Sequence, residues 1–177
     1  TSTEYSEPAL RDKLGSIRAR VAKTDSDTLK DVAAMLAEAG VVLQFVEAPD
    51  RFPLHGMTMW TRDGNPVIQM TGRRKKDGYI VWTLFHELGH VLCDQRRGIT
   101  VERDTKSRRN EEKAANKFAE SELLGPNGME PYRGMSWPDE IRLAAERQGV
   151  CPGVVVNLML EYSWCSELLI DMAIPAA

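Results

Sequence analysis

The sequence predicts an α+β domain, and three observations carry that prediction. Apolar residues recur at helical spacing towards both ends of the chain. Three short runs between residues 41 and 70 read as strands. A strongly apolar helical pattern then follows, and it holds two of the chain's three histidines. A chain of 177 residues can bury about 70% of its unfolded surface, so no disulfide is needed for stability. The composition, 42% hydrophobic and 28% charged, is that of an ordinary globular protein.

In chain order, Leu10, Leu14, Ile17 and Val21 form the stripe of a first helix. Ser26 or Asp27 caps a second helix, whose stripe is Leu29, Val32, Ala33 and Leu36 and whose end is marked by Gly40. Residues 41–46 read as a strand. Residues 57–60 and 66–70 read as two more, joined into a hairpin by Arg62-Asp63-Gly64-Asn65. Arg73-Arg74-Lys75-Lys76 is a basic connector with a solvated turn as its default role. A helix is predicted from Tyr79 to about Gln95, a charged surface loop over residues 96–110, and a further helix from Glu111 to Leu124, stopped by Gly125-Pro126. Two short helices follow, one starting near Pro138 and ending at Gly149, the other running from Pro152 to Tyr162. The expected division is an N-terminal helix or linker at 1–24, a core at 25–126, and a helical extension of the same domain at 127–177.

Charge and cysteine usage narrow the function classes. A net charge of −3 and a pI near 5.7 provide no general attraction to nucleic acid or anionic membrane. Cys93, Cys151 and Cys165 are odd in number and form no CxxC, which fits a reducing, cytoplasmic setting. No run approaches the roughly 20 apolar residues of a membrane span, and residues 1–8 are too polar for a signal peptide.

The chemistry lies in His86-Glu87-Leu88-Gly89-His90, an HExxH pattern. Residues i and i+4 share one face of a helix, so His86 and His90 can close on one zinc ion at roughly 2.0–2.1 Å each. Glu87 lies about 100° further round, beside the metal, where a free carboxylate can take a proton from water attacking a carbonyl. With three histidines and fifteen glutamates in 177 residues, chance would place this pattern about 0.004 times per chain. A catalytic zinc needs a third protein ligand, and no histidine follows His90. Candidates are the carboxylates of the 111–119 helix, where Glu112 and Asn116 share a face. Glu112 can bind metal while Asn116 orients a ligand. Glu111 and Glu112 also suit a helix start on electrostatic grounds alone, and spacing does not choose between these readings.

Val81-Trp82-Thr83-Leu84-Phe85 before HELGH, Val91-Leu92 after it, then Glu112-x-x-Ala115-Asn116-x-Phe118-Ala119 and Leu123-Leu124-Gly125-Pro126, resemble the ImmA/IrrE family of metallo-endopeptidases. The resemblance is specific from Val81 to Pro126 and looser upstream. Residues 141–160 are similar to the tail of members fused to a helix-turn-helix domain. It implies that Glu112 is the third ligand, Glu87 the general base and Zn²⁺ the cofactor, although a His₂Glu set also suits Mn²⁺ or Fe²⁺. It implies a zincin-like fold, with a small, mainly antiparallel three-stranded sheet packed on a helical bundle and a C-terminal helical hairpin. It also implies proteolysis of intracellular regulators, often helix-turn-helix repressors, in prophage, stress or toxin–antitoxin circuits. One departure stands out: many members carry a further histidine four residues after the second, where this chain has Asp94.

The expected function is therefore a zinc-dependent metallo-endopeptidase that cuts a repressor or antitoxin-type protein, without direct nucleic-acid binding by this chain. The alternative is a non-cleaving, metal-containing regulatory or binding module of a transcription regulator. Glu87 weighs against it, because structural zinc sites tend to be closed by four protein ligands. A DNA-binding role would need a helix-turn-helix upstream of Thr1. Other residues are given plainer roles. His55 is an exposed loop histidine, with an oxyanion-donor role as the lesser reading, and Tyr79 is a similar minor candidate. Cys93 is a buried thiol, and Trp60 and Trp82 are packing residues. Gly89 marks close approach of another element to the helix. The candidate strand edge for an extended substrate is 57–60 or 66–70.

Overall fold

The computed structural model describes residues 3–23, 25–47, 55–71, 77–94 and 105–164. Helix α1 (Glu7–Val21) begins at Ser6, whose hydroxyl accepts the Ala9 N–H. Its stripe of Leu10, Leu14, Ile17 and Val21 is buried and joins the same core as the later helices. Arg20 ties the start of α2 (Thr28–Glu38) by donating to Asp25, Thr28 and Asp31. Asp27 is the N-cap residue of α2 but makes no side-chain cap bond; the Thr28 hydroxyl accepts the Asp25 N–H instead.

Strands β1 (Val42–Val46), β2 (Gly56–Trp60) and β3 (Pro66–Thr71) form one sheet in the order β1-β3-β2. The expected β2–β3 hairpin is present and antiparallel. The β1–β3 pair is parallel, so the sheet is mixed rather than mainly antiparallel. The cause is strand order. β1 lies beside β3 and not beside its chain neighbour β2; β1 and β2 run in opposite directions, so β3, antiparallel to β2, runs parallel to β1. Of the two candidate edges, β3 is thus central and paired on both sides, while β2 is left at an edge. Alternation along β3 fits that place, since Ile68 and Met70 are buried.

Helix α3 (Asp77–Cys93) runs through the middle of the molecule and packs on β2, β3, α4 (Thr105–Leu124) and α6 (Pro152–Glu161). Val81, Leu84, Phe85, Leu88 and Val91, at helical spacing, are buried on it. Two crossings are unusually close. A Cβ on Gly78 would overlap the Gly153 backbone of α6, and a Cβ on Gly89 would lie 2.7 Å from Ala115 Cα of α4. The second explains the glycine in mid-helix, as expected for Gly89. Helix α5 (Pro138–Gln148) packs on α6 as the C-terminal hairpin, after a 3₁₀ turn at Glu130–Tyr132 that the sequence pattern did not show.

Helix α4 starts at Thr105, inside the stretch expected to be a loop. Lys, Arg and Glu are good helix formers, so a charged run can continue a helix as well as cover a surface. Residues 95–104, Arg73–Lys76 and Cys165 lie outside the described residues. Among the described residues, no helix is long and apolar enough to cross a membrane.

Candidate metal centre

Helix α3 brings His86 and His90 to one face, and the Gly89–Ala115 crossing sets α4 against that face. Arg108, Glu112, Asn116 and Glu120 recur every fourth residue on α4 and form one wall of a groove of about 960 Å³. The other wall is β2, with α3 as the floor and α6 closing one end. A residue larger than glycine at 89 would push Glu112 and Asn116 away from the two histidines.

His86 Nε2 and His90 Nε2 lie 3.1 Å apart. Glu112 is aimed at both, with Oε2 3.3 Å from His86 Nε2 and Oε1 3.6 Å from His90 Nε2. Donors held roughly 2.0–2.1 Å from a tetrahedral ion are about 3.3–3.4 Å from one another. The triangle therefore has the size that a zinc ion requires, and His₂Glu is a donor set that suits it. Both rings turn Nδ1 outwards to an oxygen. His86 Nδ1 is 2.8 Å from Asn116 Oδ1, and His90 Nδ1 is 3.1 Å from Asp94 Oδ2. Such partners leave Nε2 available to a metal. The site thus draws together His86 and His90, which share one helix face by spacing, with Glu112 and Asn116, which share a face of another helix.

In the metal-free chain these groups hold one another's charges. Hydrogen bonds from His86 and His90 hold the Glu112 carboxyl well below the usual carboxylate range. Burial opposes charge on His90, yet its bonds to Asp94 and Glu112 prevail and push the ring up to about 10. A metal at the triangle would replace that proton, since imidazole ligates while neutral.

Glu87 lies in the floor, only 5% exposed. The Thr58 hydroxyl of β2 donates to Glu87 Oε2 at 2.7 Å and also lies 3.2 Å from the Glu87 carbonyl oxygen. Gly56, two residues earlier on the same strand face, leaves room for the other carboxylate oxygen: a Cβ there would sit 2.6 Å from Glu87 Oε1. Burial pushes the Glu87 carboxyl up, and the Thr58 bond and the two histidines offset part of that rise. The result is a buried carboxylate more basic than a surface one.

Several readings are corrected here. His55 is half-buried on the groove wall, with its ring edge-on to Tyr79 at 4.7 Å. It is fixed there because its carbonyl accepts the Thr71 N–H at the head of the β2–β3 ladder. Cys93 is exposed rather than buried: it ends α3, where Leu92 still packs on the core and the next residue has turned outwards. Trp60 and Trp82 pack against the core but also line the groove. Thr58 escaped the sequence reading, although a threonine on the inward face of a methionine-rich strand was a visible signal. Asp94 stands out in the sequence as a departure from the family pattern, and its i+4 spacing from His90 is the signal for their contact.

No protein-family model and no curated protein sequence matches the chain.

Proposed function

We propose that this chain is a zinc-dependent metallo-endopeptidase in which His86, His90 and Glu112 hold the metal and Glu87 is the general base. The observation that carries this reading is the 3.1–3.6 Å triangle of three aimed donors, set in a groove with a buried, hydroxyl-anchored carboxylate on the same helix. Zinc, when bound, supplies a Lewis acid that polarises a scissile carbonyl and brings the pKa of water towards about 7.

The chain's own groups do the rest. Glu87 takes a proton from the attacking water and returns it to the leaving amine. Thr58 occupies one of its oxygens and fixes the carboxylate, leaving Oε1 for the proton. Asn116 holds His86 by its outer nitrogen. Among the described residues β2 is an edge strand that runs along the groove, where an extended peptide can add as a further strand. The resemblance to the ImmA/IrrE peptidases, carried by Val81–Pro126, makes helix-turn-helix repressors and antitoxin-type regulators the first substrates to test. The same resemblance is the basis for a zincin-like assignment of the α+β fold.

The test is to incubate zinc-loaded chain with such proteins and identify new N-termini by mass spectrometry. Cleavage that disappears in Glu87→Gln, at unchanged zinc content, is the expected outcome. Cleavage that persists undiminished in that variant would rule out Glu87 as the base.

A further inference from the structure

We infer that Asp94 is the positioning carboxylate of the zinc site: it holds His90 with Nε2 aimed at the metal, and it serves the metal rather than the fold. This rests on the metal centre proposed above.

Asp94 follows the last residue of α3, and its N–H donates to the His90 carbonyl at 3.3 Å. That bond continues the helical turn and sends the Asp94 side chain along the same face as His90. Its Oδ2 then meets His90 Nδ1 at 3.1 Å. A ligand histidine whose Nδ1–H is fixed by an oxygen has both its tautomer and its ring plane set for binding through Nε2.

In the metal-free chain the carboxylate has the His90 ring as its partner, and its other surroundings oppose it. The Asp94 side chain is only 10% exposed. Its Oδ1 is buried and has no hydrogen-bond partner among the described residues. The residue also stands at the C-terminal end of α3, where the helix dipole disfavours negative charge. Each of these features costs stability. An asparagine would offer His90 the same acceptor without the charge, as Asn116 does for His86 at 2.8 Å. A dication on the far side of the His90 ring supplies the missing compensation, because it attracts the carboxylate through a polarised imidazole.

The test compares wild type, Asp94→Asn, Asp94→Ala and Glu112→Gln as full chains. Zinc affinity is read by competition with a chromogenic chelator, and melting temperature is read with and without zinc. Asp94→Ala should raise the zinc Kd by about 10–100-fold, and Asp94→Asn, which keeps the acceptor but not the charge, by a smaller factor. Loss of the His90 pair should lower the metal-free melting temperature modestly, and the larger loss should appear with zinc, so the rise on adding zinc shrinks. Unchanged zinc affinity in the Asp94 variants, with affinity lost in Glu112→Gln, would overturn this inference and leave the metal centre standing. A wild type that takes no zinc would overturn both. Equal losses of melting temperature with and without zinc, or failure of both Asp94 variants to fold, would mark Asp94 as a structural residue and also overturn the inference.

Discussion

Helix α3 is crossed closely at two points, and only one of the crossings builds a site. At Gly78, the backbone of α6 comes so near that a side chain there would meet the main chain of Gly153 and Val154. The residues around it, Val81, Val154 and Val155, are buried and apolar, so the contact yields packing alone. At Gly89, α4 approaches almost as closely, but its neighbours His90 and Asn116 are polar and face a groove. The same device there brings a carboxylate and an amide within reach of two imidazoles. Close backbone approach is therefore generic, and the neighbouring side chains decide whether it becomes core or chemistry.

The sharpest way to break the comparison is at the first crossing. Gly78→Ala must displace backbone, and its cost should reach or exceed the top of the roughly 1–3 kcal/mol range for overpacking. Urea denaturation should show equal losses with and without zinc. Gly89→Ala should cost about 1–3 kcal/mol by the same mechanism, offset in part by alanine's helix preference of about 1 kcal/mol. Its signature is different: zinc affinity should fall with stability, since Glu112 moves away from the histidines.

A smaller effect separates metal holding from base positioning. Thr58→Val removes one hydrogen bond to Glu87, worth about 1.5–3 kcal/mol for a charged partner. Peptidase activity should drop by about tenfold or more while zinc content stays at the wild-type level. The smallest expected effect is a pH trend in the metal-free chain. His90 is pushed up to about 10 from an ordinary 6.5, so its contribution is complete below about 6.5 and is lost as pH rises through about 10. Metal-free melting temperatures should decline across that interval.

Much of this was legible because the informative patterns are local. The HExxH face needs only the 3.6-residue period; the shared face of Glu112 and Asn116 was readable in the same way, while the choice of Glu112 as a ligand rested on the family resemblance. The β2–β3 hairpin followed from its turn residues. Strand order was not legible: whether β1 pairs with β2 or β3 depends on tertiary packing, and the sheet is mixed for that reason. Burial at element ends was equally hidden, as exposed Cys93 and half-buried His55 show. Thr58 and Asp94 lie between these cases. The i+4 spacing of Asp94 from His90 was a readable signal, whereas the partner of Thr58 comes from a strand-to-helix contact that local spacing does not fix.

The most direct test of the central claim is zinc stoichiometry by elemental analysis, for wild type and Glu112→Gln prepared side by side without chelators and given zinc. About one zinc per wild-type chain, lost or much weakened in the variant, is the result expected of a three-donor site. Equal zinc in both would show that Glu112 is no ligand, and no zinc in either would contradict the metal centre itself.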